Sequence, residues 1–194
     1  MSETLIIDTS SGVSKEIRLD PLPLYDEKLP MLDSEIPEYT DSLPNERMNN
    51  LIKRMKMTMK QFGGIGLSAN QCGVYERVFI IGTDQFQIVC INPKVIKQSE
   101  NMVKDNEGCL SFPGFYVKIE RPSWVDVEFT DETGQTKQMH LEGLTARCFM
   151  HELDHMNGIK FTKYVGPVAI QMARKKQEKI MKKIVRSKNN ALFV

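Results

Sequence analysis

The chain has 194 residues, 41% hydrophobic and 26% charged, with 26 Lys+Arg against 25 Asp+Glu and a formal net charge of +1. That length suits one domain spanning 1–194, able to bury a core without disulfides or several metals, and the composition excludes a disordered or fibrous chain. No apolar run reaches the ~18 residues of a membrane helix and Met1-Ser2-Glu3-Thr4 lacks the basic start of a signal peptide, so an intracellular, cytoplasmic protein with no membrane partner is expected.

The near-zero net charge conceals two ends of opposite sign. Residues 1–50 hold 11 Asp+Glu against 4 Lys+Arg, whereas residues 171–194 hold 8 Lys+Arg against Glu178 alone. Residues 1–41 form an acidic, Pro-containing stretch without helical period, in which Leu5-Ile6-Ile7 predicts a short strand and the rest an extended segment around the domain. From about Ser42 the apolar positions Met48, Leu51, Ile52, Met55, Met59 and Phe62 fall three and four apart. They predict a helix started by Asp41, Ser42 and Pro44, stopped by Gly63-Gly64, and buried along one stripe. The methionines of that stripe read as core packing rather than as a surface that recognises methionine.

Gly63, Gly64 and Gly66 then allow backbone to approach a ligand closely, but the stretch lacks both the GxGxxG spacing and the Lys-Ser/Thr ending of a phosphate loop. Val78 to Ile81 and Ile88 to Ile91 predict a hairpin turning at Gly82-Thr83-Asp84. Cys90 falls within a strand and reads as core, and Cys72 as a bystander. With Cys109 and Cys148 they make four thiols lacking CxxC spacing, so no disulfide framework is expected. Strands follow over 117–119 and 124–129, with a hairpin loop at Asp131-Glu132-Thr133-Gly134 and a return over 135–141. His140, alone at the end of that return strand, reads as a surface or core residue rather than a ligand.

The next predicted helix begins near Gly143, buries Leu144, Cys148, Leu153 and Met156, and ends at Asn157-Gly158. It carries His151-Glu152-Leu153-Asp154-His155. Histidines four apart share one helix face, so both can close on one metal ion with Glu152 beside them as a base. A hydrolytic site needs a third protein ligand. No His follows His155, and the best remaining donor lies upstream in Glu107-Gly108-Cys109-Leu110-Ser111. Cys148 competes, but three ligands from successive turns of one helix would lie in a row, so Cys109 is preferred and Cys148 is placed in the pocket lining. The last predicted helix, 166–188, sets Val168, Met172, Ile180 and Ile184 at helical spacing among the basic residues, which read as a solvated cationic face or as a surface for RNA phosphates.

Three motifs in this order, Gly64-Ile65-Gly66-Leu67-Ser68-Ala69-Asn70-Gln71, then Glu107 to Ser111, then His151 to His155 followed by Gly158, resemble those of the peptide deformylases. The resemblance implies an α+β fold: antiparallel sheets packed around the central HExxH helix, with an N-terminal and a C-terminal helix. It implies removal of the formyl group from the N-terminal formylmethionine of new polypeptides, with formate released. Cys109, His151 and His155 would hold one divalent metal, Fe2+ by resemblance, with Zn2+ or Ni2+ able to substitute.

By the same resemblance Glu152 would be the base, while the Gln71 side-chain amide and the Leu110 backbone N–H would stabilise the oxyanion. Ile65 and Gly66 would pair their backbone with the substrate as an added strand, with Gly64 also at the substrate and Gly108 among the backbone contacts, and Ile65, Glu107, Leu144 and Cys148 with the aliphatic part of His151 would line the methionine pocket. Arg121 would brace the site by a charge pair with Glu107 or Asp154, and the basic C-terminal helix would dock on the ribosome. Such an enzyme fits a bacterium, an organelle or a virus-infected bacterial cytoplasm. Two alternatives remain: a catalytically silent ribosome-associated relative, and a zinc peptidase, which lacks its downstream ligand here.

Overall fold

In the computed structural model, which describes residues 3–7 and 15–191, the apolar run Val78-Phe79-Ile80-Ile81 is continuous because both faces of its strand are buried. Successive side chains of a strand point to opposite faces. Phe79 and Ile81 accordingly join one core cluster, and Val78 and Ile80 a second. The strand, β4 (Val78–Thr83), belongs to a five-stranded antiparallel sheet with β3 (Gly66–Ser68), β5 (Phe86–Gln98), β8 (Trp124–Thr130) and β9 (Thr136–Glu142), ordered β3-β4-β5-β8-β9.

One face of the sheet is covered by α1 (Glu46–Gln61), whose Met48, Ile52, Met55 and Met59 are all buried against Leu67, Val78, Ile80 and Val89. The methionine stripe is therefore core. The helix starts later than Ser42: Asn45 is its cap, accepting the Met48 N–H at 2.8 Å. Asp41 instead pairs with Arg47 on the surface, and Phe62, past the last turn, is 48% exposed. The opposite sheet face receives α2 (Gly143–Met156) through Ala146, Phe149, Leu153 and Met156, with the Phe149 ring edge-on to Phe79 at 5.1 Å.

The α+β arrangement follows the sequence expectation, with three departures. The β4–β5 turn lies at Asp84-Gln85, since Gly82 and Thr83 still pair with Gln87 and Phe86. Gly82 adopts φ +125°, and a Cβ there would meet the Phe86 carbonyl oxygen at 2.1 Å, so only glycine fits. Leu5–Ile7 lies within β1 (Glu3–Ile7), but it pairs with an unexpected β2 (Lys15–Leu19). A further strand, β6 (Met102–Gly108), pairs with β7 (Tyr116–Pro122) as a separate two-stranded ribbon. Its first five residues are exposed, so it carries no alternation by which a sequence could announce it.

Residues 20–40 run across the molecule largely extended, interrupted by a 3-10 turn at Pro30–Asp33. Leu22 N–H donates to Thr58 Oγ1 of α1 at 2.8 Å, Ile36 N–H to the Met156 carbonyl at the end of α2 at 2.8 Å, and Tyr39 N–H to Asn92 Oδ1 of β5 at 2.7 Å. The last helix, α3 (Pro167–Ala191), lies against β7. Ala173 there closes a third apolar cluster around Phe112, Phe115 and Phe161.

Candidate metal centre

The sheet face of α2 fixes the helix, and its other side holds an unusual run of buried polar residues: Arg147, His151, Glu152, Asp154 and His155. The ribbon β6–β7 brings Cys109, one residue past β6, over this side. Its Sγ lies 3.3 Å from His155 Nε2, and the donor atoms of Cys109, His151 and His155 all lie within 4.8 Å of one another. Cys148, the competing thiol, instead donates to the Ile65 carbonyl at 3.3 Å, and burial pushes its ionisation well up. A soft sulfur and two imidazoles converging from two elements are a donor set that fits one divalent metal.

The two imidazoles differ: burial lowers His151, but its contacts with Cys109 and Glu107 outweigh that and draw it well above the usual imidazole range, so a metal binding there displaces a proton. Burial holds His155 well below the usual imidazole range, the neutral form that a metal requires. His155 Nδ1 and Glu152 Oε2 are buried without a hydrogen-bond partner among the described residues. Burial also pushes the Glu152 carboxyl up to about 7.

Glu107 does more than line a pocket. Its Oε2 lies 3.2 Å from His151 Nδ1, orienting the ring so that Nε2 is left for a metal, and Arg121 grips the same carboxylate through Nε and Nη2 at 2.9 and 3.0 Å. Burial alone would raise the Glu107 carboxyl, but the hydrogen bonds from His151 and Arg121 outweigh it and hold it at about 2. Arg121 Nη1 also donates to Asp154 Oδ2 at 2.7 Å, so the expected pairing with one acid is a pairing with both. The three side chains are between 3% and 9% exposed, which removes them from the class of surface ion pairs.

Replacing Arg121 by Met leaves two buried carboxylates short of a partner and is expected to cost about 3 kcal/mol of stability in urea unfolding. A loss below about 1 kcal/mol would put the network on a par with exposed ion pairs.

A cleft of about 450 Å³ opens onto the ligands. Of the residues expected around a substrate, Gly64, Ile65, Gly66 and Gly108 lie along it, and Glu107, Leu144 and Cys148 also line it. Leu144 corrects the expectation of burial: it is 65% exposed on the first turn of α2, at the cleft mouth. β3 is an edge strand, so a peptide can add to it. The Ile65 carbonyl, however, already accepts the Gly82 N–H at 2.8 Å. Adjacent residues of an antiparallel strand face opposite edges, which leaves Gly66 as the better backbone partner. A Cβ at Gly66 would stand 2.4 Å from Glu152 Oε1 and 2.7 Å from Cys148 Sγ, so the strand approaches α2 this closely only as glycine.

Gln71 and Leu110 line the same cleft. The Gln71 amide is buried, with Oε1 accepting the Ser68 N–H at 2.9 Å and Nε2 aimed at Cys109 Sγ, 3.3 Å, and Ser111 Oγ, 3.2 Å. His140 lies on the surface between Asp126 and Glu142, away from these ligands.

Sequence reasoning missed three contributors. Arg147 donates to Glu107 Oε1 at 2.8 Å, and its spacing four before His151 could have placed it on that face. Asn70 Nδ2 donates to the His155 carbonyl at 2.7 Å, and Tyr164 Oη to Asp154 Oδ1 at 2.9 Å. Nothing local marks either.

A helix-borne histidine pair, a converging thiol and a buried carboxylate at an open cleft define a metal-dependent hydrolase. The sequence model of the polypeptide deformylase family matches residues 22–171. The peptide deformylase of Rhizobium meliloti is 37% identical over 150 residues, 73% of this chain and 86% of its own. That of Synechococcus sp. RCC307 is 40% identical over 127 residues, 63% of either chain. Among solved structures, a peptide deformylase from Legionella pneumophila superposes with TM-score 0.77 at 32% identity, covering 86% of this chain and 98% of its own. The chain belongs to the polypeptide deformylase family.

Proposed function

We propose that this protein removes the formyl group from N-terminal formylmethionine, with Cys109, His151 and His155 as the metal ligands. The observation that carries the reading is Glu152: a buried carboxylate with one oxygen unpartnered among the described residues, beside the three donors and beneath the strand edge that would receive a peptide. Held by Cys109, His151 and His155, a divalent metal would supply the polarisation that brings the pKa of a water from ~15.7 towards ~7.

Glu152 takes the water's proton as the oxygen attacks the formyl carbon, and passes it to the departing amine. The Gln71 Nε2 and Leu110 N–H groups donate to the tetrahedral oxyanion as its charge develops. Gly66 and Gly108 align the peptide backbone, and the methionine side chain fills the space between Ile65, Leu144 and Cys148. Arg121, Arg147 and Glu107 keep the His151 ring in place. The metal is Fe2+ by resemblance, although a thiolate with two imidazoles suits Zn2+ equally; peroxide inactivation reversed by anaerobic ferrous iron would support iron.

The test is formate release from formyl-Met-Ala-Ser by the metal-loaded protein, against an internal peptide. Cleavage of the first alone, abolished by a chelator and restored by metal, is expected; cleavage of the internal peptide would make the protein a peptidase. The work site would be the compartment where formylated chains are made. The exposed Lys175, Lys179, Lys182 and Lys183 of α3 support docking on ribosomal RNA. If deleting residues 171–194 leaves co-sedimentation with ribosomes unchanged at low salt, that docking is wrong.

A further inference from the structure

A second groove, of about 690 Å³, runs between the β6–β7 ribbon and α3. It adjoins the metal-site cleft, with Asn106 and Tyr116 in the walls of both. The ribbon register explains the shared walls. Gly108 pairs with Tyr116, Asn106 with Lys118, and Lys104 with Glu120, and residues two apart along a strand share a face. The face that begins beside the Cys109 ligand therefore leads outward past Asn106 and Lys118 to Lys104 and Glu120. The opposite wall is α3, with Met172, Ala173 and Lys176.

The groove has a partly apolar floor and a positive rim. Val117 and Ala173 are buried in it, while Met172 is 58% exposed along its wall. Three lysines face one acid: Lys104 stands 3.6 Å from Glu120, and Lys118 and Lys176 have no ion pair among the described residues.

Resting on the deformylase reading above, we propose that this groove holds the downstream part of the formylated chain and selects acidic side chains there. An extended chain rises ~3.3 Å per residue, so Asn106 and Lys104, three and five residues from Cys109, lie ~10 and ~17 Å along the ribbon from the metal ligand. Lys118 stands opposite Asn106. A substrate whose formyl group is at the metal would bring about its fourth to sixth residues to these lysines. The apolar floor and the shared walls with a peptide-binding cleft favour a polypeptide over a nucleic acid as the occupant.

The test compares formyl-Met-Ala-Ser extended by Asp-Glu-Asp with the same peptide extended by Lys-Arg-Lys, using metal-loaded full-length protein and the unextended tripeptide as reference. The acidic peptide is expected to lead by about fivefold in kcat/KM at low ionic strength, the sum of a few exposed ion pairs, and the lead to shrink with salt. The double variant Lys118→Glu, Lys176→Glu is expected to reverse the order. Tripeptide turnover with equal rates for both extended peptides in both proteins would overturn the groove assignment alone. Equal rates together with inhibition of the long peptides, but not the tripeptide, by a short RNA would give the groove to nucleic acid instead. No tripeptide turnover would overturn the deformylase reading and this assignment with it.

Discussion

Replacing Glu152 by Gln is expected to lower formate release at saturating formyl-Met-Ala-Ser by about 1,000-fold, within the range that a positioned general base contributes. Gln has the shape of Glu, so the contact with Gly66 and the volume of the cleft are kept, but an amide cannot accept the proton. The wild-type carboxyl is 3% exposed, and burial raises it to about 7. A group with that pKa both accepts and returns a proton readily near neutral pH. A cation bound at the neighbouring ligands pulls the pKa back down, so wild-type turnover is expected to fall as pH drops and the carboxylate is protonated. Metal content, measured alongside, should match wild type because the three ligands are untouched. A variant with full metal and turnover within tenfold of wild type would remove Glu152 from the chemistry.

The grouping of the candidate donors was legible where it is written in spacing. His151, Glu152 and His155 are legible from one helical turn, and Cys109 from the shortage of any other donor. The stripe of α1 is legible from its period, and β4 is legible as a strand from its apolar run. What stayed hidden was mostly fixed by contacts far apart in the chain. Glu107 was expected to line the pocket and to pair with Arg121, but its further bonds to Arg147 and His151, which make it the hub of a buried network, were not legible. Leu144 fits an apolar stripe but ends exposed, because α2 begins at the cleft mouth and, among the described residues, no element covers its first turn. β6 was invisible for the opposite reason: exposed over most of its length, it is held by the ladder to β7 rather than by its own pattern.

Ser68 shows how such hidden contacts bear on the chemistry, through a Gln71→Ala variant expected to lose ~100- to 1,000-fold in kcat with KM changed little, as when one oxyanion donor is removed. The direction of the Gln71 amide is set from its oxygen end. Oε1 accepts the Ser68 N–H and lies 2.9 Å from the Ser68 hydroxyl, which leaves only the donor end, Nε2, facing the cleft. Because Nε2 also reaches Cys109 Sγ at 3.3 Å, metal content has to be followed with the kinetics. A loss of turnover matched by an equal loss of metal would make Gln71 an orienter of the ligand and not a donor to the oxyanion. The Ser68→Ala variant separates the two further. It keeps the backbone anchor and removes the hydroxyl, which donates its single proton to either Gln71 Oε1 or Asn70 Oδ1. A loosened amide points its donor at the oxyanion for less of the time, so Ser68→Ala is expected to lie between wild type and Gln71→Ala in kcat, with metal content unchanged.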